Sequence, residues 1–402
     1  MNLGPNAHGA HLTYCTNIHK GETWAETFAA LQRNLPSVKA AVSPNQAMGV
    51  GLRLSALASQ QLSAPGELQK FKDFLDGESL YVFTINGFPY GPFHGTRVKE
   101  DVYQPDWRFD ERLTYTNRLA DQLSYLLPAD PQIEGSISTV PATFRPLGSV
   151  TGALDLIADN LLRHAGHLVR IRETTGRTIT LALEPEPMCY LETSEELISF
   201  MQTRIFSAAS VRQFSRLADV TEASAEAALR RHLGICYDVC HAAIEFEDAA
   251  ASIGRLRSAG IGIHKLQLSA ALKIAQVDAE TARHLQRFDD GVYLHQVVER
   301  RTDGTLVRYL DLQPAISGIG KSIGSEWRVH CHVPVFMQKL PELGTTQDFL
   351  REILALHKAE PISNHLEVET YTFDVLPAEL RQVDVATAVA RELEWVKGEL
   401  AS

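Results

Sequence analysis

Oxygen-bearing side chains stand at the ends of four β-like segments between residues 178 and 371. TITLALE, LGICYDV, IGIHKLQLS and HLEVETY carry Glu184, Asp238, Gln267 and Glu369. Because alternate residues of a strand point to opposite faces, each of these side chains is expected to face the same interior as the others. Several carboxylates in one low-dielectric pocket repel each other and retain protons, and a divalent cation removes that penalty. We therefore predict a site for Mn²⁺, Zn²⁺ or Mg²⁺ built from these four residues.

Simpler roles are open for three residues of this set. Glu184 can cap the helical segment that follows it, as carboxylates often do. Gln267 can hydrogen-bond to neighbouring carboxylates rather than bind a cation. Lys265 shares the inward face with Gln267 and is either an ion-pair partner or an electrophile for a substrate carbonyl.

Three histidines are candidates for a second metal or for the substrate. His241 follows Asp238 by three residues, at the turn from strand to helix. It is either a residue of the helix start, or a ligand and proton shuttle, since histidine titrates near neutral pH. His330 and His332 share one face of an extended run, which is either a hairpin surface or a second site above the first.

The elements that must position these residues alternate between short strands and longer helices, which predicts a parallel (β/α)8 TIM barrel. We take residues 1–402 as a single domain. The longer predicted helices are Asp110–Leu127, Ser149–Thr174, Ala242–Ala259 and Val383–Glu399. The eight predicted strands are His11–Asn17, Met48–Ser55, Leu80–Asn86, Gly135–Pro141, Thr178–Glu184, Leu233–Val239, Ile261–Ser269 and His365–Tyr371.

The stretch from about 270 to 345 interrupts this alternation between the seventh and eighth strands. It contains a predicted hairpin with its turn at Thr302-Asp303-Gly304 and the extended run WRVHCHVPVF. Long structured loops at the carboxyl end of a barrel usually cover the site. We predict that this insertion lies over the barrel mouth and brings His332 within reach of the metal or its ligand.

The first and third strands, with the residues that follow them, supply a predicted substrate-binding set. Its members are Asn17, His19, Asn86, Tyr90 and His94. Catalytic residues are disproportionately found on such loops.

Composition limits the classes of partner. The formal net charge of −11 and the lack of a Lys/Arg-rich run argue against general nucleic-acid binding. The five cysteines form no CxxC pair, which indicates reduced thiols. The start of the chain lacks a signal-peptide pattern and no apolar stretch is long enough to span a bilayer, so we expect a cytoplasmic protein without a membrane span.

Four short motifs resemble the xylose-isomerase-like superfamily of barrels, which includes sugar isomerases, epimerases and endonuclease-IV-type enzymes. They are LALEPEP at 181–187, the Asp-x-x-His of Asp238–His241, KLQLS at 265–269 and LEVET at 366–370. The resemblance implies metal ligands at the ends of strands five to eight, in the order Glu, Asp, His or Gln, and Glu. Histidine is common in this superfamily at the position of Gln267. Some members, including enzymes of the dehydroshikimate dehydratase type, are similar to this chain in having glutamine there.

A narrower resemblance covers nearly the whole chain. The blocks HLTYCTNIHKGETW, NGFPYGPFHG, VYQPDW, HCHVPVF and VETYTFDVLP look like the EboE family of metabolite-traffic proteins. This resemblance implies a role in making or moving a secondary metabolite, with partner proteins from the same pathway.

Three functions follow as hypotheses. The first is a metal-dependent isomerase, epimerase or lyase for a small polyhydroxylated or carbonyl compound, in which Glu184 and Glu369 exchange a proton and His241 and Lys265 assist. The second is a non-catalytic carrier that keeps the pocket without a reaction. The third is an endonuclease-IV-type phosphodiesterase, which His330 and His332 favour and the net charge opposes.

Overall fold

The computed structural model describes residues 1–94, 97–378 and 381–401. Thirteen strands form two sheets. The barrel strands are β1 (His11–Tyr14), β2 (Met48–Arg53), β3 (Leu80–Asn86), β4 (Gly135–Thr139), β5 (Ile179–Leu183), β6 (Leu233–Asp238) and β7 (Ile263–Leu268), and the last of them is β13 (His365–Val368). The strands between β7 and β13 are β8 (Ala271–Ile274), β9 (Val297–Arg300), β10 (Leu306–Tyr309), β11 (Glu326–His332) and β12 (Gly344–Thr345).

Most helices follow the barrel strands and cover the outside of the sheet, whereas α12 and α13 belong to the insertion. They are α1 (Trp24–Val42), α2 (Ala56–Leu62), α3 (Glu67–Gly77), α4 (Asp110–Leu126), α5 (Arg145–Gly148), α6 (Ala153–Thr175), α7 (Ser194–Phe200), α8 (Ala208–Ala218), α9 (Glu222–His232), α10 (Val239–Ile244), α11 (Ala249–Ser258), α12 (Thr281–Gln286), α13 (Leu312–Ser317), α14 (Gln347–Ala359) and α15 (Val385–Ala401). Among the described residues, no helix is long and apolar enough to cross a membrane.

The eight barrel strands are parallel and run in the order β1-β13-β7-β6-β5-β4-β3-β2. A single parallel bridge between Cys15 and Gly51 brings the two edges together. The Thr13 hydroxyl joins them further, donating to the Gly49 carbonyl at 2.8 Å and accepting from the Gly51 amide at 2.9 Å. The barrel is therefore nearly closed, and the carboxyl ends of its strands meet at one mouth.

A buried ion pair crosses the barrel interior below that mouth. Lys265 Nζ lies 2.7 Å from Glu367 Oε1, and both side chains are fully buried. Gly51 makes room for this pair, because a Cβ there would lie 1.9 Å from Glu367 Oε2. Breaking a buried pair by removing one partner is costly, so the interior depends on both charges and on the missing side chain of Gly51.

The insertion forms an antiparallel sheet of five strands in the order β10-β9-β11-β8-β12. It has its own apolar core, which includes Leu272, Val297, Trp327 and Val329. The buried Glu299 carboxylate is satisfied within the insertion by hydroxyls of neighbouring residues. The insertion therefore has internal support for the residues that it places over the barrel.

The structure confirms the predicted barrel and the β insertion, with two differences in the helices. The helix predicted over 242–259 is two helices, α10 and α11, separated by a turn in which Phe246 has a φ of 57°. The long helix begins at Ala153 rather than Ser149, because Gly152 adopts a left-handed conformation with a φ of 78°. The predicted hairpin is β9 and β10, within a larger sheet.

We predict that Gly51→Ala lowers the free energy of unfolding by about 1–3 kcal/mol, because the added methyl group overlaps Glu367 in a packed interior. Gly254→Ala in α11 is the matched control, since nothing lies within 4 Å of a Cβ there. Alanine has the higher helix propensity, so this control should keep or raise stability. Urea denaturation of both variants measures the difference. Equal stability of the two would contradict the described packing of Glu367.

Candidate active site

Three carboxylates converge at the barrel mouth. Glu184, Asp238 and Glu369 follow or end neighbouring strands, and one oxygen of each lies within 4.8 Å of the others. All three residues are buried. Asp238 Oδ1 accepts from the His241 amide at 3.1 Å, as the cap of α10, and from the Ser269 hydroxyl at 2.7 Å. Asp238 Oδ2 and Glu184 Oε2 have no hydrogen-bond partner among the described residues.

Burial and mutual repulsion favour the protonated forms of Glu184 and Glu369. Burial raises the pKa of Glu184 well above its usual value, and the charges of Glu369 and Asp238 raise it further. Burial, followed by the charges of Asp238 and Glu367, raises the pKa of Glu369 to about 8. A cation among the three carboxylates would reverse both shifts, so the site fits a divalent metal.

Two amides orient Glu369. Asn17 Nδ2 donates to Glu369 Oε1 at 2.7 Å, and Asn86 Nδ2 donates to the same oxygen at 3.1 Å. These donors favour the charged form of the carboxylate and fix its position. The other oxygen, Oε2, takes no part in either bond.

Gln267 and Lys265 are fully buried in the barrel interior, and both contact Glu367. Gln267 Nε2 donates to Glu367 Oε1 at 3.2 Å, in register with Asp238 on one side and Glu367 on the other. Asp238 Oδ1 accepts a hydrogen bond from the Ser269 hydroxyl rather than from Gln267. Lys265 forms an ion pair with Glu367, which is one of the two roles predicted for it. In this structure both residues support the site through Glu367.

Three buried histidines share one hydrogen-bonding pattern. His241 Nδ1 faces the Pro185 carbonyl at 2.9 Å, and His332 Nδ1 faces the Glu369 carbonyl at 3.0 Å. His330 Nδ1 faces Gln296 Oε1 at 2.8 Å. The other end of the Gln296 amide agrees with this assignment of Oε1, because Nε2 donates to the Pro187 carbonyl at 3.2 Å. Since each Nδ1 meets an acceptor, each Nδ1 carries the proton.

The Nε2 atoms of these histidines therefore present lone pairs. His241 Nε2 and His330 Nε2 lie 3.1 Å apart, too close for two acceptors without a proton or cation between them. His332 Nε2 has no partner among the described residues, and its ligand atom lies within 4.8 Å of those of Asp238 and His241. Burial lowers the pKa of His330 well below its usual value and that of His332 to about 4. Neutral imidazoles of this kind are metal ligands.

A cavity lies above the carboxylates of Glu184 and Glu369. Its polar floor consists of Asn17, Asn86, Glu184, Glu186, His241, His330 and Glu369. Its walls are Phe88, Pro89, Phe93, Val98, Lys99, Val102, Tyr103, Tyr293, Leu294 and Tyr371. The insertion supplies Tyr293, Leu294 and His330, so it covers the barrel mouth.

Two residues of the predicted substrate-binding set, Asn17 and Asn86, line the cavity. The other three lie behind it. His19 hydrogen-bonds to the Tyr14 hydroxyl at 2.8 Å, His94 Nε2 to the Asn17 carbonyl at 2.7 Å, and the Tyr90 ring packs against Tyr115. His94 therefore supports Asn17 rather than the ligand.

Sequence reasoning missed Glu186, Tyr103 and Tyr371, which also line the cavity. The Tyr103 hydroxyl donates to Glu186 Oε1 at 2.6 Å, next to His241 and His330. A signal was present, because Glu186 is the second glutamate of LALEPEP, and Tyr103 and Tyr371 lie in the blocks VYQPDW and VETYTFDVLP.

We predict that Mg²⁺ or Mn²⁺ affinity rises with pH between about pH 6 and pH 8, by up to about tenfold per unit. The sign follows from the raised pKa values of Glu184 and Glu369, since below them a cation must displace protons. Calorimetric titration in buffers of different ionisation enthalpy measures the affinity and the protons released. An affinity independent of pH, without proton release, would contradict the protonated state described above.

Comparison with known proteins supports the fold. No family model matches the sequence, and no curated protein does. A xylose isomerase-like TIM barrel protein from Mycobacterium smegmatis in complex with magnesium has a TM-score of 0.51 at 11% identity, over 98% of this chain and 97% of that chain. The IOLI protein with a zinc atom has a TM-score of 0.47 at 12% identity, over 98% of each chain, and an L-ribulose 3-epimerase has 0.46 at 11%, over 98% and 94%. The first likeness shows that the chain has the xylose isomerase-like TIM-barrel fold, and the EboE assignment stays a prediction.

Proposed function

We propose that this chain is a divalent-metal-dependent isomerase or epimerase, or a related lyase, acting on a small carbonyl or hydroxylated metabolite. The observation that carries the proposal is the convergence of Glu184, Asp238 and Glu369 at the barrel mouth. Glu184 and Glu369 line the cavity, and Glu184 Oε2 and Asp238 Oδ2 lack partners among the described residues. The magnesium bound to the Mycobacterium smegmatis barrel supports a cation in this fold.

Glu184, Asp238 and Glu369 would hold the cation, and Mn²⁺, Zn²⁺ and Mg²⁺ all suit this oxygen-rich set. When bound, the cation supplies Lewis-acid polarisation of a substrate carbonyl. Gln267 is proposed to support this set through Glu367, in place of the direct ligation that its sequence position predicts.

Glu184 and Glu369 are proposed to move a proton at the carbon next to the substrate carbonyl. A carboxyl group with a pKa near the working pH exchanges protons efficiently, and burial raises that of Glu369 to about 8. Asn17 and Asn86 hold Glu369 Oε1, which leaves Oε2 for the substrate. His241 is oriented by the Pro185 carbonyl, so its Nε2 side faces the cavity as an acceptor.

We expect Glu369→Gln to reduce exchange of the substrate's carbon-bound hydrogen with solvent by at least about 100-fold, since it removes the proton-transferring group. Deuterium incorporation from D₂O is followed by mass spectrometry over a panel of ketoses, aldoses and hydroxyketones. Glu247→Gln is the control, because Glu247 is a buried glutamate that accepts from Ser194 outside the cavity.

Unimpaired exchange by Glu369→Gln would reject this mechanism. Cation binding without exchange of any compound by the wild-type protein would favour the carrier hypothesis instead.

The proposal includes a second cation held by His241, His330 and His332. Zinc–nitrogen bonds of about 2.0–2.1 Å place two ligand nitrogens roughly 3 Å apart, and the Nε2 atoms of His241 and His330 are 3.1 Å apart. The Nδ1–H of each imidazole donates to an oxygen acceptor, as the second ring N–H of a metal-bound histidine usually does.

His332→Gln should lower the number of bound Zn²⁺ ions from two to one. Thermal stability of the metal-free protein should change by a similar amount in His332→Gln and in His164→Gln. Each variant loses a buried imidazole whose Nδ1 is hydrogen-bonded, to the Glu369 carbonyl and to Asn117 Oδ1 respectively. His164→Gln is the matched control, since His164 is also fully buried with an unpartnered Nε2, on α6. Metal analysis after gel filtration gives the stoichiometry, and two ions retained by His332→Gln would reject this assignment.

A further inference from the structure

We infer that the cavity selects a ligand with a neutral oxygen-bearing head and a flat apolar or aromatic body, rather than a free sugar or a phosphorylated one. This inference rests on the proposed function, because the head would meet the carboxylates and histidines of the floor. The inference comes from the cavity walls, which have no part in the proposed metal binding or proton transfer.

The walls are dominated by a cluster of three rings. Phe93 lies 5.2 Å from Tyr293 and 5.4 Å from Tyr371 between ring centroids, and the two tyrosines lie 5.1 Å apart. Phe88 and Val102 extend the apolar surface. Aromatic rings of this kind favour edge-on or offset stacking with a flat partner.

The hydroxyl protons of two wall tyrosines are already committed to acceptors of the protein. The Tyr293 hydroxyl donates to the Phe93 carbonyl at 3.0 Å, and the Tyr103 hydroxyl donates to Glu186 at 2.6 Å. A polyol carries hydroxyls along its whole length, and each one buried without a partner costs about 1–3 kcal/mol. The hydrogen-bonding groups are concentrated at the floor, so a ligand with oxygens at one end fits best.

Charge argues against an anionic head. Lys99 is the one cation among the described residues that line the cavity, and its Nζ lies 2.6 Å from Asp311. The floor has no lysine or arginine among its described residues that could pair with a phosphate. A neutral ketone with an adjacent hydroxyl has its oxygens at one end and carries no negative charge, so it fits both the polar floor and the lack of a free cation among the described lining residues.

The test compares three probes by calorimetric titration, with and without Mg²⁺. Phenacyl alcohol is a phenyl ketone with an adjacent hydroxyl, hydroxyacetone has the same head with a methyl group, and D-fructose is a free sugar. We expect phenacyl alcohol to bind at least about tenfold more tightly than the other two, from burial of the ring.

Val102→Asp places a charge in the wall of the cavity. It should lower the affinity for phenacyl alcohol by at least about fivefold. Its effect on hydroxyacetone should be smaller, since hydroxyacetone lacks the ring that meets this wall. Val150→Asp is the control, since Val150 is 53% exposed and lies outside the cavity.

Equal or tighter binding of D-fructose or hydroxyacetone would overturn the inference, as would lack of binding by all three probes. Failure of Mg²⁺ to bind would instead overturn the proposed function. In that event the ranking of the probes on the metal-free protein still decides the inference.

Discussion

Negative charge concentrated in a buried space is the constraint on which this structure depends. Glu184, Asp238 and Glu369 meet where solvent screening is weak, and Glu367 lies one pleat below. The protein compensates part of this charge with Lys265, which engages Glu367 at 2.7 Å. The remaining carboxyl groups keep their protons or bind a cation, since isolated buried charges are too costly. The nearly closed barrel makes this arrangement stable, because parallel strands bring their carboxyl ends to one place.

The insertion adds a second kind of chemistry to that floor. It places His330 and His332 beside His241, with each Nδ1 committed to an oxygen acceptor. Carboxylates therefore come from the barrel strands and their ends, and two of the three neutral imidazoles come from the insertion. The same insertion brings Tyr293 against Phe93, so the polar centre lies under an apolar cover that excludes water.

The barrel and the carboxylates were predictable because both follow from local pattern. Alternation along a strand decides which face a residue takes, and this is enough to bring Glu184, Asp238 and Glu369 together. It does not decide which neighbour a side chain meets. Gln267 is in register with Asp238, yet its amide donates to Glu367 on the other side. Such contacts depend on the stagger between neighbouring strands, which a single strand's pattern does not contain.

The cavity walls were harder to predict for a related reason. Phe93, Tyr293 and Tyr371 are far apart in the chain and meet only through the loops. His94 illustrates the limit, since its place beside Asn17 looked like a ligand contact and proves to be a hydrogen bond to the Asn17 backbone. Loop conformation is set by tertiary contacts, so sequence pattern indicates the segment but not which side chains reach the cavity.

The most direct test of the central claim is an anomalous difference map from crystals grown with Mn²⁺. We expect a peak bounded by the carboxylates of Glu184, Asp238 and Glu369, next to Glu184 Oε2 and Asp238 Oδ2, which have no partner among the described residues. A map in which Mn²⁺ binds only at surface carboxylates, with these three still in contact with one another and no peak between them, would contradict it.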